Sequence, residues 1–239
     1  DYLVYAYLQL GDNQKAKSEL TKMNEIKEVF PSDHFASAYA LIAVPCRLAL
    51  ENKNWNLATK LELPKTNLDW EKADWPVAML HFSRALGFSN LGETFKAENE
   101  LKSLIALRDK LSNADKPYES GQVTIQIEAV KAWIEFSKGN SKKAIDFMKH
   151  ASTLESKNWE LATKLERPKT NLDWDKAHWP KAMLHFSRAL GFANTGNSSG
   201  AEKELKSLIT LRNKLNEAKN NYESGQVTIQ IEAIKGWIE

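Results

Sequence analysis

Histidine and arginine three residues apart form the clearest chemical pattern in the chain. His81 precedes Arg84, and His185 precedes Arg188, within two identical stretches, His81–Phe88 and His185–Phe192. On a helix, residues three apart share a face. Each pair therefore suits either a polar contact that supports the fold or a small site for an anion or carboxylate. The remaining histidines, His34, His150 and His178, complete no metal-ligand spacing such as His-x3-His on one helix. Cys46 is the single cysteine, so no intrachain disulfide or multi-cysteine metal site can be built. Its flanks, Ile42-Ala43-Val44-Pro45 and Leu48-Ala49-Leu50, are apolar and predict a buried structural thiol. Carboxylates mostly pair with lysine at helical spacing, as Glu98 with Lys102 and Glu202 with Lys206, and read as solvated faces. No Gly-x-Ser-x-Gly elbow and no Gly-x-Gly phosphate loop occurs. These features predict a chain that is not an enzyme and that needs no cofactor or metal.

The groups just named sit in a text that is written twice. Residues 53–135 recur as 157–239, with 62 identities over 83 aligned positions. A repeat of this length predicts stacked units, each burying its apolar face on the next. The repeated block starts inside one helix pair and ends inside another, out of phase with the pairs themselves.

Helical punctuation runs throughout. Tyr2–Leu10 and Gln14–Val29 are two helical stretches joined at Gly11, with Asp12 or Asn13 placed to cap the second. A further pair opens at Pro31-Ser32, where Ser32 is a candidate N-cap for His34–Glu51. Pro45 is expected to kink or divide that helix. Trp55–Glu62 reads as its short partner, followed by a long connector, Leu63–Ala73. Asp74 is a candidate cap for a pair running from Trp75 to about Leu111, and Ser120 for Gly121–Lys138, followed by Ser141–Ser156. Trp70 and Trp75, repeated as Trp174 and Trp179, either pin the connector or form an aromatic wall.

One spacing recurs three times, as Tyr7, Gly11, Ala16, Leu20; Phe88, Gly92, Ala97, Leu101; and Phe192, Gly196, Ala201, Leu205; Gly139, Ala144, Met148 and Ala151 give a fourth instance, without the leading large apolar residue. In this pattern the chain resembles the tetratricopeptide repeat. Over residues 1–156 it also resembles a bacterial tetratricopeptide family, through Ala36–Ala49, Trp75-Pro76, His81–Gly87, Gln122-Val123 with Gln126, and Ala144–Met148. The resemblance implies an all-α fold, a right-handed α-solenoid of antiparallel helix pairs. About four pairs would fill residues 1–156, and residues 157–239 would continue the same solenoid. It also implies a concave surface lined by the first helix of each pair. Groove candidates in that register are Met79, Phe82, Leu86, Asn90, Gln122, Gln126 and Trp133. Their copies are Met183, Phe186, Leu190, Asn194, Gln226, Gln230 and Trp237. Amides mixed with aromatics suit an extended peptide or a partner helix. Phe82, Leu86 and Trp133 equally suit inter-repeat core.

Bulk properties narrow the partners. The net charge is +2, with 33 basic and 31 acidic residues interspersed, which gives no footprint for nucleic acid. No apolar run reaches the ~20 residues that span a bilayer, so no membrane insertion is expected. The composition suits a soluble chain of cytoplasm or periplasm. Neither end carries a polar capping helix. That predicts a piece of a longer array, or ends covered by a partner or by another copy in a self-assembled structure. The expected function is a protein-interaction scaffold. Self-assembly through the ends is the alternative, and small-molecule sensing ranks below both.

Overall fold

The computed structural model describes residues 1–238, and among them the chain is all-helical. The α-helices are α1 (Tyr2–Gln9), α2 (Asn13–Asn24), α3 (Phe35–Glu51), α4 (Trp55–Ala58), α5 (Asp74–Asn90), α6 (Thr94–Asn113), α7 (Pro117–Ser137), α8 (Ser141–Thr163), α9 (His178–Asn194), α10 (Ser198–Glu217) and α11 (Asn221–Ile238). They form two compact units, Asp1–Ser152 and Thr153–Glu239. None is long and apolar enough to cross a membrane.

In the first unit each helix packs on neighbours one or two places along the chain. Thus α3 meets α1, α2, α4 and α5, and α5 meets α6 and α7. The second unit repeats the scheme with α9, α10 and α11. Its main core gathers Ala182, Ala189, Leu208, Leu211, Leu215, Val227, Ile231 and Ile234. The corresponding core of the first unit gathers Ala78, Ala85, Ala97, Leu104, Leu111, Val123, Ile127, Val130 and Ile134. The alanine five residues after the turn glycine is fully buried at Ala16, Ala97 and Ala201.

The turns share one geometry. Gly11, Gly92, Gly139 and Gly196 all have φ between 72° and 83°. At each, the residue after the glycine donates back to a carbonyl five positions earlier: Asp12 to Tyr7, Glu93 to Phe88, Asn140 to Glu135, Asn197 to Phe192, at 2.8–2.9 Å. This pairing, with the glycine donating to the carbonyl three before it, is the Schellman closure of a helix. A side chain at any of these four glycines would meet empty space, so the requirement is the left-handed backbone alone. Lys53, Asp115 and Lys219 close helices in the same way at φ of 50–56° without a glycine.

Gly87 and Gly191 are needed for a different reason. A Cβ on Gly87 would lie 2.9 Å from Ala58 Cβ and 3.0 Å from Thr59 N. On Gly191 it would lie 2.8 Å from Trp159 O and 2.9 Å from Thr163 N. Thus α4 rests on α5, and the last turns of α8 rest on α9, at backbone contact.

Several helix boundaries differ from the sequence expectation. Three expected caps do not cap. α3 starts after His34, whose Nδ1 lies 2.8 Å from Ser37 Oγ, and Ser32 lies outside. Asp74 is already the first helical residue of α5, buried, and held 2.7 Å from Lys110 Nζ. Ser120 lies inside α7, because Pro117, with its preset φ and no N–H to satisfy, starts the helix earlier. Asp12 does cap α2, accepting from Lys15 N at 3.0 Å. Pro45 leaves α3 undivided. α2 ends at Asn24, ahead of the expected Val29, and α4 spans only Trp55–Ala58.

The connector before α5 is tied down rather than loose. Asn67 clasps the Val29 backbone, accepting from its N–H at 2.7 Å and donating to its carbonyl at 3.1 Å. Trp70 packs into the cores formed by α3, α4 and α5. This matches the pinning role. Trp75 stands in a row of rings with Phe35 (5.8 Å), Tyr39 (5.6 Å) and Tyr118 (5.6 Å), spanning the first turns of α3, α5 and α7.

The largest departure is α8. Lys53-Asn54 forms a turn and an N-cap in the first copy, with Asn54 accepting from Leu57 N at 3.1 Å. The same dipeptide at Lys157-Asn158 lies within a continuous helix. Identical local text takes two conformations because the preceding segments differ: apolar α3 must fold back to bury both faces, whereas amphipathic α8 runs straight on.

Two outcomes test this packing. Gly87→Ala forces Ala58 and the Thr59 backbone apart and costs about 1–3 kcal/mol in urea unfolding. Cys46 is 4% exposed, and burial pushes its thiol up to about 11. It is expected to resist a thiol-specific reagent at pH 8 in the folded chain and to react at once in urea. The same displacement has a sign: the folded chain holds the thiol proton to higher pH, so this contribution to stability is complete below pH ~9 and is lost as pH rises towards 11.

Candidate binding surface

Each His–Arg pair already holds an anion, and that anion belongs to the chain. One turn apart on α5, His81 and Arg84 both reach Glu100 of α6. His81 Nδ1 lies 2.6 Å from Oε2 and Arg84 Nη2 lies 2.6 Å from Oε1. In the second unit His185 and Arg188 of α9 close on Glu204 of α10 at 2.5 and 2.7 Å. Glu100 and Glu204 are buried, 7% and 3% exposed. A carboxylate removed from water needs this compensation. The pairs therefore staple helix to helix, the supporting role weighed from sequence. The remaining Nε atoms of Arg84 and Arg188 are buried without a partner.

A third staple joins α7 to α8. Glu128 accepts from Lys131 Nζ at 2.7 Å and lies 2.9 Å from His150 Nδ1. Burial pushes its carboxyl up, but the hydrogen bonds from Lys131 and His150 outweigh that and hold it below the usual range. Sequence reasoning missed Glu100 and Glu204. A signal was present: within 93–102 and 197–206, where half of the positions differ, Ala-Glu-x-Glu-Leu-Lys survives in both copies.

The expected groove stripe divides. Phe82 and Leu86 pack against the α5–α7 core, and Phe186 and Leu190 against the α9–α11 core. Met79 packs into the core between α3 and α5. Asn90 and Asn194 turn inwards to their own helices, donating to Leu86 O and Leu190 O at 2.9 Å. Gln122 and Gln226 are half-buried. Gln126 and Gln230 each leave a buried Oε1 without a donor, and Gln230 Nε2 points to Met183 Sδ at 3.2 Å. Trp237 is exposed on α11.

Trp133 is different. It meets Phe136 edge-to-face, with ring centroids 5.9 Å apart and planes at 86°. Together with Ala132 from α7 and Ser141, Ala144, Ile145 and Met148 from α8, the two rings line a cavity of about 250 Å³. Phe136, Ile145 and Met148 are 59%, 55% and 42% exposed. Large apolar side chains this open lie around one concavity, the kind of surface on which apolar groups can dock. Nearby in sequence, Lys138 and Lys143 are engaged with Glu98 at 2.6 Å and Glu135 at 3.2 Å. Among the described residues no three His, Cys, Asp or Glu side chains are grouped to hold a metal ion.

In comparisons with known proteins, no family model, no curated protein and no solved structure matches this chain.

Removing a staple carboxylate unties two partly exposed side chains from the facing helix. Glu100→Ala is expected to cost about 1–3 kcal/mol in urea unfolding. His81→Ala in the Glu100→Ala background should cost far less than His81→Ala alone, since the two act as one network. Additive losses in that cycle would contradict the coupling.

Proposed function

We propose that the chain is a non-enzymatic binding scaffold of tetratricopeptide type that seats a bulky apolar side chain of a peptide or partner helix between α7 and α8. The observation that carries this is the open cavity walled by Trp133, Phe136, Ile145 and Met148. Aromatic side chains in such a concavity supply most of the energy at protein interfaces. Trp133 continues a stripe on which Gln126 lies two turns earlier and Gln122 a further turn back, so amides flank the anchor pocket on one side. Amides at that spacing can pair with the backbone of an extended segment or with polar side chains of a helix. Three supports concern architecture: the four Schellman turns at the repeated glycines, the buried alanines five residues later, and the packing of each helix on its near neighbours.

The test compares binding partners of the folded chain and two variants. Tagged wild type, Trp133→Ala and Ile145→Glu are used for affinity capture from the source cells, with helicity checked by circular dichroism. Hot-spot truncation costs at least about 2 kcal/mol, or roughly thirtyfold in affinity. A partner captured by wild type and lost from both variants is the expected result. The same proteins recovered equally by all three would refute the pocket as the binding site.

A further inference from the structure

The duplicated block copies a receiving face without the helix that it receives. In the first unit, α3 lies on α5, α4 and the connector. Ile42, Cys46 and Ala49 pack with Ala58, Leu61 and Leu80, and Ala38 and Leu41 pack with Leu68 and Ala73. Cys46 Sγ lies 3.8 Å from Met79 O. The second unit keeps almost every receiving residue. Leu61, Leu68, Met79 and Leu80 recur as Leu165, Leu172, Met183 and Leu184. The seat of α4 is also kept, since the last turns of α8 lie on Gly191 as α4 lies on Gly87. The text of α3 has no copy.

Exposure shows the consequence. Leu61 is 8% exposed and Leu165 is 44%; Leu68 is 6% and Leu172 is 46%. Met183 is 39% exposed, and Pro76 is buried where Pro180 is exposed. One substitution breaks the apolar run: Lys181 stands where Val77 packs on the α3 core. Its side chain is only 12% exposed, and its ammonium turns to the exposed Asp175 at 3.6 Å.

We propose that this face of α9, with Leu165 and Leu172, docks a helix of a partner protein built like α3. Its contact stripe would be uncharged, with small or aliphatic residues at the spacing of Ala38, Ile42, Cys46 and Ala49. The first unit supplies the template for both the stripe and the seat. A second copy's α3 does not meet the requirement, because α3 is committed on both sides: Val44 and Leu48 pack with Val4 and Ala16 of α1 and α2, while Ile42 and Cys46 face α5. The site is separate from the cavity at Trp133 and stands or falls independently of it.

The probe is a labelled synthetic peptide of residues 35–51 carrying Cys46→Ser, titrated with the full chain by fluorescence anisotropy. Saturable binding with a Kd of about 1–100 μM is expected for a single helix of this size. Met183→Glu and Leu172→Glu alter side chains that are already exposed, so the fold should survive, as circular dichroism will show. Either is expected to weaken binding at least tenfold, while Phe95→Glu, at a side chain 71% exposed on α6, leaves it unchanged. Absence of saturation, or equal Kd values for wild type and both variants, overturns the proposal. So does a concentration-dependent dimer in sedimentation velocity that Met183→Glu abolishes, because a second copy would then be the occupant.

Discussion

Close approach of paired helices is the constraint on which the rest of each unit depends. Alanines are fully buried within the helix pairs, and a methyl group added at Gly87 or Gly191 would collide with backbone or β-carbon. Helices brought this near bury their apolar stripes completely, so Leu104, Val123, Leu208 and Val227 reach zero exposure. Dispersion and hydrophobic burial both depend steeply on such contact. The same proximity creates an electrostatic problem. Glu100, Glu128 and Glu204 lie where water is excluded, and each is compensated by two cationic or hydrogen-bonding side chains. Small residues set the distance, and the glutamates then hold each helix pair in register.

Much of this was legible. The helical class, the glycine turns and the buried small residues follow from the recurring Gly–Ala spacing, because a left-handed closure and a tight crossing each admit few residue types. Helix starts were less legible. Ser32, Asp74 and Ser120 have capping side chains, yet the caps fall elsewhere, because Pro117 and tertiary burial of Asp74 moved the boundaries. A cap contributes only about 1 kcal/mol, which packing readily outweighs. His81 and Arg84 were visible as a pair, but their partner lies 16 residues beyond Arg84 on another helix. Only the survival of Glu100 within a divergent segment hinted at it.

The surface stripe was partly legible. A register drawn from turns put Gln126 and Trp133 on one stripe of α7. It could not say how much of α5 the next helix would cover, and Phe82 and Leu86 are spent on the core. The pocket at Trp133 needed Ile145 and Met148 from α8, residues that had entered the sequence argument only as parts of the repeat pattern. Surface sites formed by two helices depend on the crossing geometry, which periodicity does not encode.

The two copies make a natural control for how far local text dictates structure. Lys-Asn-Trp turns the chain after α3 and runs unbroken through the C-terminal part of α8. Leucines of identical sequence setting are core in one unit and open in the other. The backbone can extend α8 through this text because a helix interior costs Lys, Asn and Trp little in intrinsic propensity, whereas the turn at Lys53 requires φ of 50° in a residue that has a Cβ. The strained option therefore needs a tertiary return, and α3 supplies it by burying Ile42, Val44, Cys46 and Leu48 on two sides at once. Without an α3 the unstrained helix wins, and the seat copied with the block is left open. Duplication out of phase with the helix pairs thus turns a stretch of interior into surface without changing most of its residues.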